Sequence, residues 1–195
     1  DPPIASIGYQ ASIVITPQQE ADMDIKATLN NLLIPYTSNY AGTLLPGIRE
    51  YTVTPGEKTT TISGKGKAGL KQEENYYFFY LPVCYKGITG KSYAYYNTSR
   101  SKNLYLPASV DENYSYDIQL PENLTLCTPI QEKKIDNPIG SFKITLTSEG
   151  SSLHIELALQ IKKQLITPAE YPAFRSLITE WTDRTRKPIL FKTVQ

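Results

Sequence analysis

Ser141-Phe142-Lys143-Ile144-Thr145-Leu146-Thr147-Ser148-Glu149-Gly150-Ser151-Ser152-Leu153-His154-Ile155-Glu156-Leu157-Ala158-Leu159-Gln160-Ile161 is the stretch whose pattern decides the fold. Leu153, Ile155, Leu157, Leu159 and Ile161 occupy every second position, with His154, Glu156 and Gln160 between them. Successive side chains of a strand point to opposite faces, so this alternation predicts a strand with one dry and one wet face. Phe142, Ile144 and Leu146 alternate in the same way with Lys143, Thr145 and Thr147. Ser148-Glu149-Gly150-Ser151 between the two runs carries turn chemistry, and together they predict a β-hairpin.

The same period extends outward from the hairpin. Over Asn113–Leu120, Tyr114, Tyr116, Ile118 and Leu120 alternate with Ser115, Asp117 and Gln119, until Pro121-Glu122-Asn123 stops the run. Less regular strands are expected at Tyr9–Ile15, Ile25–Leu33, Glu50–Val53 and Thr59–Ser63. Tyr76–Val83 is continuously apolar, which predicts a strand covered on both faces. Prolines at 17, 35, 46, 55, 82, 107, 121, 129 and 138 punctuate these runs and leave little room for βαβ crossovers. One helix is expected. Thr167-Pro168-Ala169-Glu170 has the capping-box spacing, and a single turn at 168–171 would lead into a helix with Pro172 in its first turn. Phe174, Leu177, Ile178 and Trp181 form its apolar stripe, its end falls near Asp183, and Pro188-Ile189-Leu190-Phe191 reads as a last strand. The fold class is therefore all-β, a β-sandwich or jelly-roll of mainly antiparallel strands with one short C-terminal helix at about 172–183. Residues 1–195 read as a single module, and a seam near 64–75 is the place to divide it if there are two.

Composition narrows the function classes. Of 195 residues, 40% are hydrophobic, an ordinary globular share. Twenty basic against nineteen acidic residues leave a formal charge of +1, which gives no electrostatic reason for a nucleic-acid or anionic-membrane partner. No run approaches the roughly 18 apolar residues of a membrane span. No stretch reads as a signal peptide, and a chain opening Asp1-Pro2-Pro3 without Met reads as a processed or excised fragment.

The candidate chemistry is sparse. His154 is the single histidine and falls on the polar side of its strand, the position of a solvated strand residue. With one His and two Cys, no zinc site of ordinary spacing can be built, and no cofactor motif stands. Cys84, His154 and Asp183 follow the chain order of some thiol enzymes, yet Cys84 leaves a strand at Tyr80-Leu81-Pro82-Val83-Cys84-Tyr85 and lacks the helix N-terminus that lowers a nucleophile's pKa. Cys84 and Cys127 either form one disulfide or stand as two thiols, the simpler reading. Gly64-Lys65-Gly66-Lys67-Ala68-Gly69 matches G-x-G-x-x-G, but no helix follows to face a pyrophosphate, so a flexible hairpin loop is expected. Ten tyrosines crowd the stretch from Tyr76 to Tyr116 (76, 77, 80, 85, 93, 95, 96, 105, 114 and 116). Strand packing accounts for most of them, and exposed ones could stack on sugar rings. Arg184, Arg186 and Lys187 read as a solvated loop after the helix. The carboxylates read as scattered through turns, with no glycosidase pair among them. No catalytic, cofactor-binding or metal residue is assigned.

An ordered series of short motifs carries a resemblance. It runs from Tyr105-Leu106-Pro107 through Asn113-Tyr114-Ser115-Tyr116-Asp117-Ile118-Gln119-Leu120-Pro121-Glu122 to Gly140-Ser141-Phe142 and the hairpin. It ends on Pro168-Ala169-Glu170-Tyr171-Pro172-Ala173-Phe174-Arg175 and Ile189-Leu190-Phe191-Lys192. Over about residues 76–192 the chain resembles the C-terminal β domain of unknown function of a bacterial family with an N-terminal β domain and a transglutaminase-like core. Members are typically exported by Gram-negative bacteria, to the periplasm or cell surface, and some are described as putative proteases. The resemblance implies a non-catalytic accessory domain that packs on that core or orients its substrate, a protein or a glycan. The core's Cys, His and Asp have no matching positions here, so the chain itself is not expected to be an enzyme. The alternative is an independent glycan- or peptide-binding β-sandwich module.

Overall fold

A computed structural model describes residues 19–31, 48–84, 88 and 99–194. The expected strand at Tyr9–Ile15 lies outside them. The strands, in chain order, begin with β1 (Glu20–Asn30), β2 (Ile48–Pro55), β3 (Thr59–Gly69), β4 (Lys71–Glu73), β5 (Tyr76–Phe79), β6 (Leu104–Tyr105) and β7 (Val110–Gln119). They continue with β8 (Leu124–Leu126), β9 (Gln131–Asn137), β10 (Gly140–Glu149), β11 (Ser152–Ile161) and β12 (Leu165–Ile166), before the helix α1 (Tyr171–Arg186) and β13 (Ile189–Thr193). The protein is thus mostly antiparallel β with one short C-terminal helix.

The predicted hairpin forms as β10 and β11. Glu149 pairs with Ser152, which leaves Gly150 and Ser151 as a two-residue loop, and Gly150 takes φ 58, a conformation open to glycine without steric cost. The hairpin is the anchor of a seven-stranded sheet in the order β2-β3-β1-β7-β11-β10-β9, whose two ends stay apart, so no barrel closes. Pairing carries one apolar row straight across it: Ile62, Ala27, Tyr114, Leu157 and Ile144 lie side by side on five strands. All five are buried. Smaller sheets are β4-β5-β13-β8 and the pair β12-β6.

The core face of the large sheet is covered in part by α1, which packs on β10 and β11. Its stripe of Tyr171, Phe174, Leu177, Ile178 and Trp181 is buried. Trp181 meets Tyr114 of β7 with ring centroids 6.0 Å apart, and Phe79 of β5 stacks on Phe191 of β13 at 5.8 Å. These side chains belong to one hydrophobic cluster running from Ala21 to Phe191. Burial of each large apolar side chain is worth about 1.5–3 kcal/mol.

Three expectations need correction. Gly64 to Gly69 is not a loop but the second half of β3, paired with β1 along its whole length. A side chain at 64 would place Cβ 2.3 Å from Ile48 Cγ2 and 2.9 Å from the Glu50 carbonyl, so this glycine lets bulged β2 approach closely. Lys65 and Lys67 point to solvent and meet Asp24, Glu20 and Asp22. The apolar run Tyr76–Val83 is a strand only to Phe79 and is covered on one face, since Tyr76 and Tyr80 are each 47% exposed. Tyrosine tolerates that position because its ring packs while its hydroxyl stays wet. Finally, α1 runs on to Arg186, so Arg184 and Arg186 sit in its last turn, where cations complement the carbonyl end of the helix.

Candidate functional site

Strand β7 lies at the centre of the large sheet and presents different chemistry on its two faces. The core face carries Glu112, Tyr114 and Tyr116, fully or almost fully buried. A lone carboxylate there would be very costly, so its oxygens must be satisfied. The Ile88 backbone N–H donates to Glu112 Oε1 at 2.5 Å, and the Tyr114 hydroxyl donates to Oε2 at 3.0 Å. Tyr114 Oη in turn accepts the Cys84 backbone N–H at 3.0 Å, and the Tyr116 hydroxyl donates to the Pro82 carbonyl at 2.8 Å. Three side chains of one strand therefore hold the backbone at residues 82, 84 and 88 over the core. Burial lifts the Glu112 carboxyl from its ordinary 4.5 to about 7, with the Ile88 and Tyr114 hydrogen bonds pulling the other way. Burial together with the negative charge of Glu112 pushes both tyrosine hydroxyls well above 10.

The opposite face is open to solvent. Asp117 of β7 lies across from His154 of β11, with Oδ1 2.7 Å from Nδ1. His154 Nε2 stands 3.8 Å from Glu156, which is bound at 2.8 Å by Lys143 of β10. That pair raises the Lys143 pKa and lowers that of Glu156, chiefly through their mutual hydrogen bond. An open depression of about 690 Å³ runs beside them, lined also by Asp22, Asp24 and Thr147. Among the described residues no three His, Cys, Asp or Glu groups converge where they could hold a metal ion.

The residues weighed from sequence fall apart in space. His154 sits on the wet face, as its phase predicts. Cys84 is buried against Tyr114 on the other side of the sheet. Asp183 is engaged at 2.9 Å by Lys187 at the end of α1. Cys84 and Cys127 stand as separate thiols. Of the ten crowded tyrosines, 85, 93, 95 and 96 lie outside the described residues, while Tyr77, Tyr114 and Tyr116 are buried and Tyr76, Tyr80 and Tyr105 are exposed. Reading the carboxylates as scattered through turns passed over Glu112, which lies within β7. Its signal was present: stepping back by two from Tyr116 and Tyr114 puts Glu112 on the apolar face.

The core-face cluster can fix backbone and hold a proton, while the wet face offers polar groups to solutes. Comparison with known proteins adds a family. No curated protein matches the chain. A crystal structure of a putative protease from Parabacteroides distasonis is similar over 62% of this chain, with 32% sequence identity and a TM-score of 0.56. The matched part spans only 24% of that longer protein. The model of a family described as a domain of unknown function with solved structure matches residues 75–191. The chain belongs to that family, DUF3858.

Proposed function

We propose that this chain is a non-catalytic accessory domain of an exported bacterial protein, packing on a transglutaminase- or protease-like core or orienting its substrate. The observation that carries the reading is the similarity to about a quarter of a longer protein described as a putative protease, most of whose length lies outside the matched part. The separation of Cys84 and His154 by the thickness of the sheet supports a role without chemistry of its own. The hydrophobic cluster from Ala21 to Phe191 supports treating the described residues as one module. Peptidase and acyl-transfer assays of the chain, with Cys84→Ala as control, test the reading. No turnover is expected, and turnover abolished by that substitution would overturn it. A reading frame upstream of Asp1 that encodes no such core would overturn the choice of partner.

One observation favours a second reading, an independent glycan-binding module. The outward face of β5 carries Tyr76 and Phe78, with Tyr80 just beyond its end and Leu190 of β13 opposite Phe78. Flat exposed aromatics suit the apolar faces of sugar rings. A reproducible glycan-array ligand lost in Tyr76→Ala would favour this module.

A further inference from the structure

We propose that the groove between β9 and α1 binds an acidic, extended peptide segment of a protein substrate. The inference deepens the substrate-orienting reading above and rests on it. The groove is an open depression of about 520 Å³, within the usual range of ligand sites. Its helical wall is formed by Tyr171, Pro172, Arg175, Ser176, Thr179 and Glu180. These positions recur every four residues along one side of α1, so the groove runs lengthwise for about 12 Å at 1.5 Å per residue. That length holds about four residues of extended chain at 3.3 Å each. A compact ion would fill only a fraction of it.

The lining sets the chemistry of the occupant. Ile135 of β9 joins Pro168, Tyr171 and Pro172 as the apolar part, which suits aliphatic side chains. Two guanidinium groups face it. Arg100 lies over the Tyr171 ring, 5.6 Å from the centroid, a cation–π placement. Arg175 is exposed and makes no ion pair among the described residues. Among the described residues the one carboxylate in the lining, Glu180, is held by Lys133 of β9 at 2.5 Å and so does not neutralise Arg175. The described lining thus offers the unpaired positive charge of Arg175 beside apolar surface on a chain whose total charge is only +1. Guanidinium groups bind carboxylates through paired, charge-assisted hydrogen bonds. An Asp or Glu flanked by apolar residues matches this lining in charge, polarity and length.

The test is a titration of the whole chain with capped hexapeptides carrying central Asp or Glu between Leu and Val, against their Asn and Gln counterparts. The acidic peptides are expected to bind about tenfold more tightly, as for one charge-assisted pair. Arg175→Gln should remove that preference while leaving the melting temperature unchanged, because Arg175 makes no hydrogen bond or ion pair among the described residues. Equal binding of acidic and amide peptides, no binding up to millimolar concentration, or an unchanged preference in Arg175→Gln would overturn the proposal. Inorganic phosphate that competes as well as the peptides would also overturn it, since a simple anion site needs no groove. These readouts require no catalytic core. Failure here leaves the accessory reading standing, whereas unchanged turnover of the core after detachment of the domain would sink that reading alone.

Discussion

Replacing Glu112 by Gln should abolish a pH dependence of stability that the buried carboxyl imposes. In the folded chain Glu112 titrates at about 7, against 4.5 when freely exposed, and burial is the dominant cause. Between these pH values the folded chain holds a proton that the unfolded chain has released. Stability from this group is therefore fully present below pH 4.5, falls as pH rises, and is lost above about 7. At 1.36 kcal/mol for each pH unit of that window, the loss amounts to about 3 kcal/mol. Glutamine keeps the volume and an acceptor for the Ile88 N–H and carries no charge at any pH. The advantage of Glu112→Gln over the parent chain should therefore grow by about 3 kcal/mol between pH 4 and pH 8. Urea unfolding across that range, followed by the fluorescence of Trp181, the only tryptophan, measures it. Other titrating groups are common to both proteins and cancel. A difference that stays constant with pH within about 0.5 kcal/mol would refute the reasoning, because a group with equal affinity for its proton in both states contributes no slope.

Three further outcomes are expected. Tyr114→Phe removes the donor to Glu112 and the acceptor of the Cys84 N–H, at a cost of about 1–3 kcal/mol in urea unfolding, and it should move the pH midpoint of the parent chain upward. Gly140→Ala places a Cβ 1.8 Å from the Gln160 carbonyl oxygen. The β10–β11 ladder must then shift, at about 3 kcal/mol, visible as a lower melting temperature by circular dichroism. Trp181→Ala empties a fully buried site against Tyr114. It should cost about 3–5 kcal/mol by the same measurement.

The hairpin was legible because two independent signals agree there, the period of two and a glycine at the one position that needs positive φ. β7 was legible for the same reason, but reading it from Asn113 hid the residue that matters most. Glu112 is a carboxylate in apolar phase, and only the spatial approach of Cys84 and Ile88 explains why it is tolerated there. Gly64 to Gly69 misled for a different reason. Glycine marks both loops and close backbone approach, and what distinguishes them is β2, whose bulge passes over Gly64. Tyr76–Val83 misled because a continuous apolar run fixes burial only where neighbours exist on both sides, and tyrosine does not need the second one. The peptide groove was invisible in sequence, since its lining comes from separate segments around residues 100, 135 and 168–180.

The two faces of β7 also decide how the chain's reactive groups can combine. The Cys84 backbone is bound to Tyr114 Oη on the core side, while His154 is bound to Asp117 on the solvent side of the same strand. A change of rotamer cannot carry either group through a hydrogen-bonded sheet. Bringing a Cys84 thiolate to the His154 imidazole would require β7 to separate from β11, which pairs with it from Ser152 to Ile161. Such an opening dismantles the centre of the sheet and approaches the free energy of global unfolding. The carboxyl best suited by pKa to exchange protons near neutrality, Glu112, is likewise sealed under residues 82, 84 and 88. Among the described residues Glu112 and Tyr114 thus serve to bind backbone, while the polar sheet face, the exposed aromatic side of β5 and the arginine-lined groove stay open to solvent.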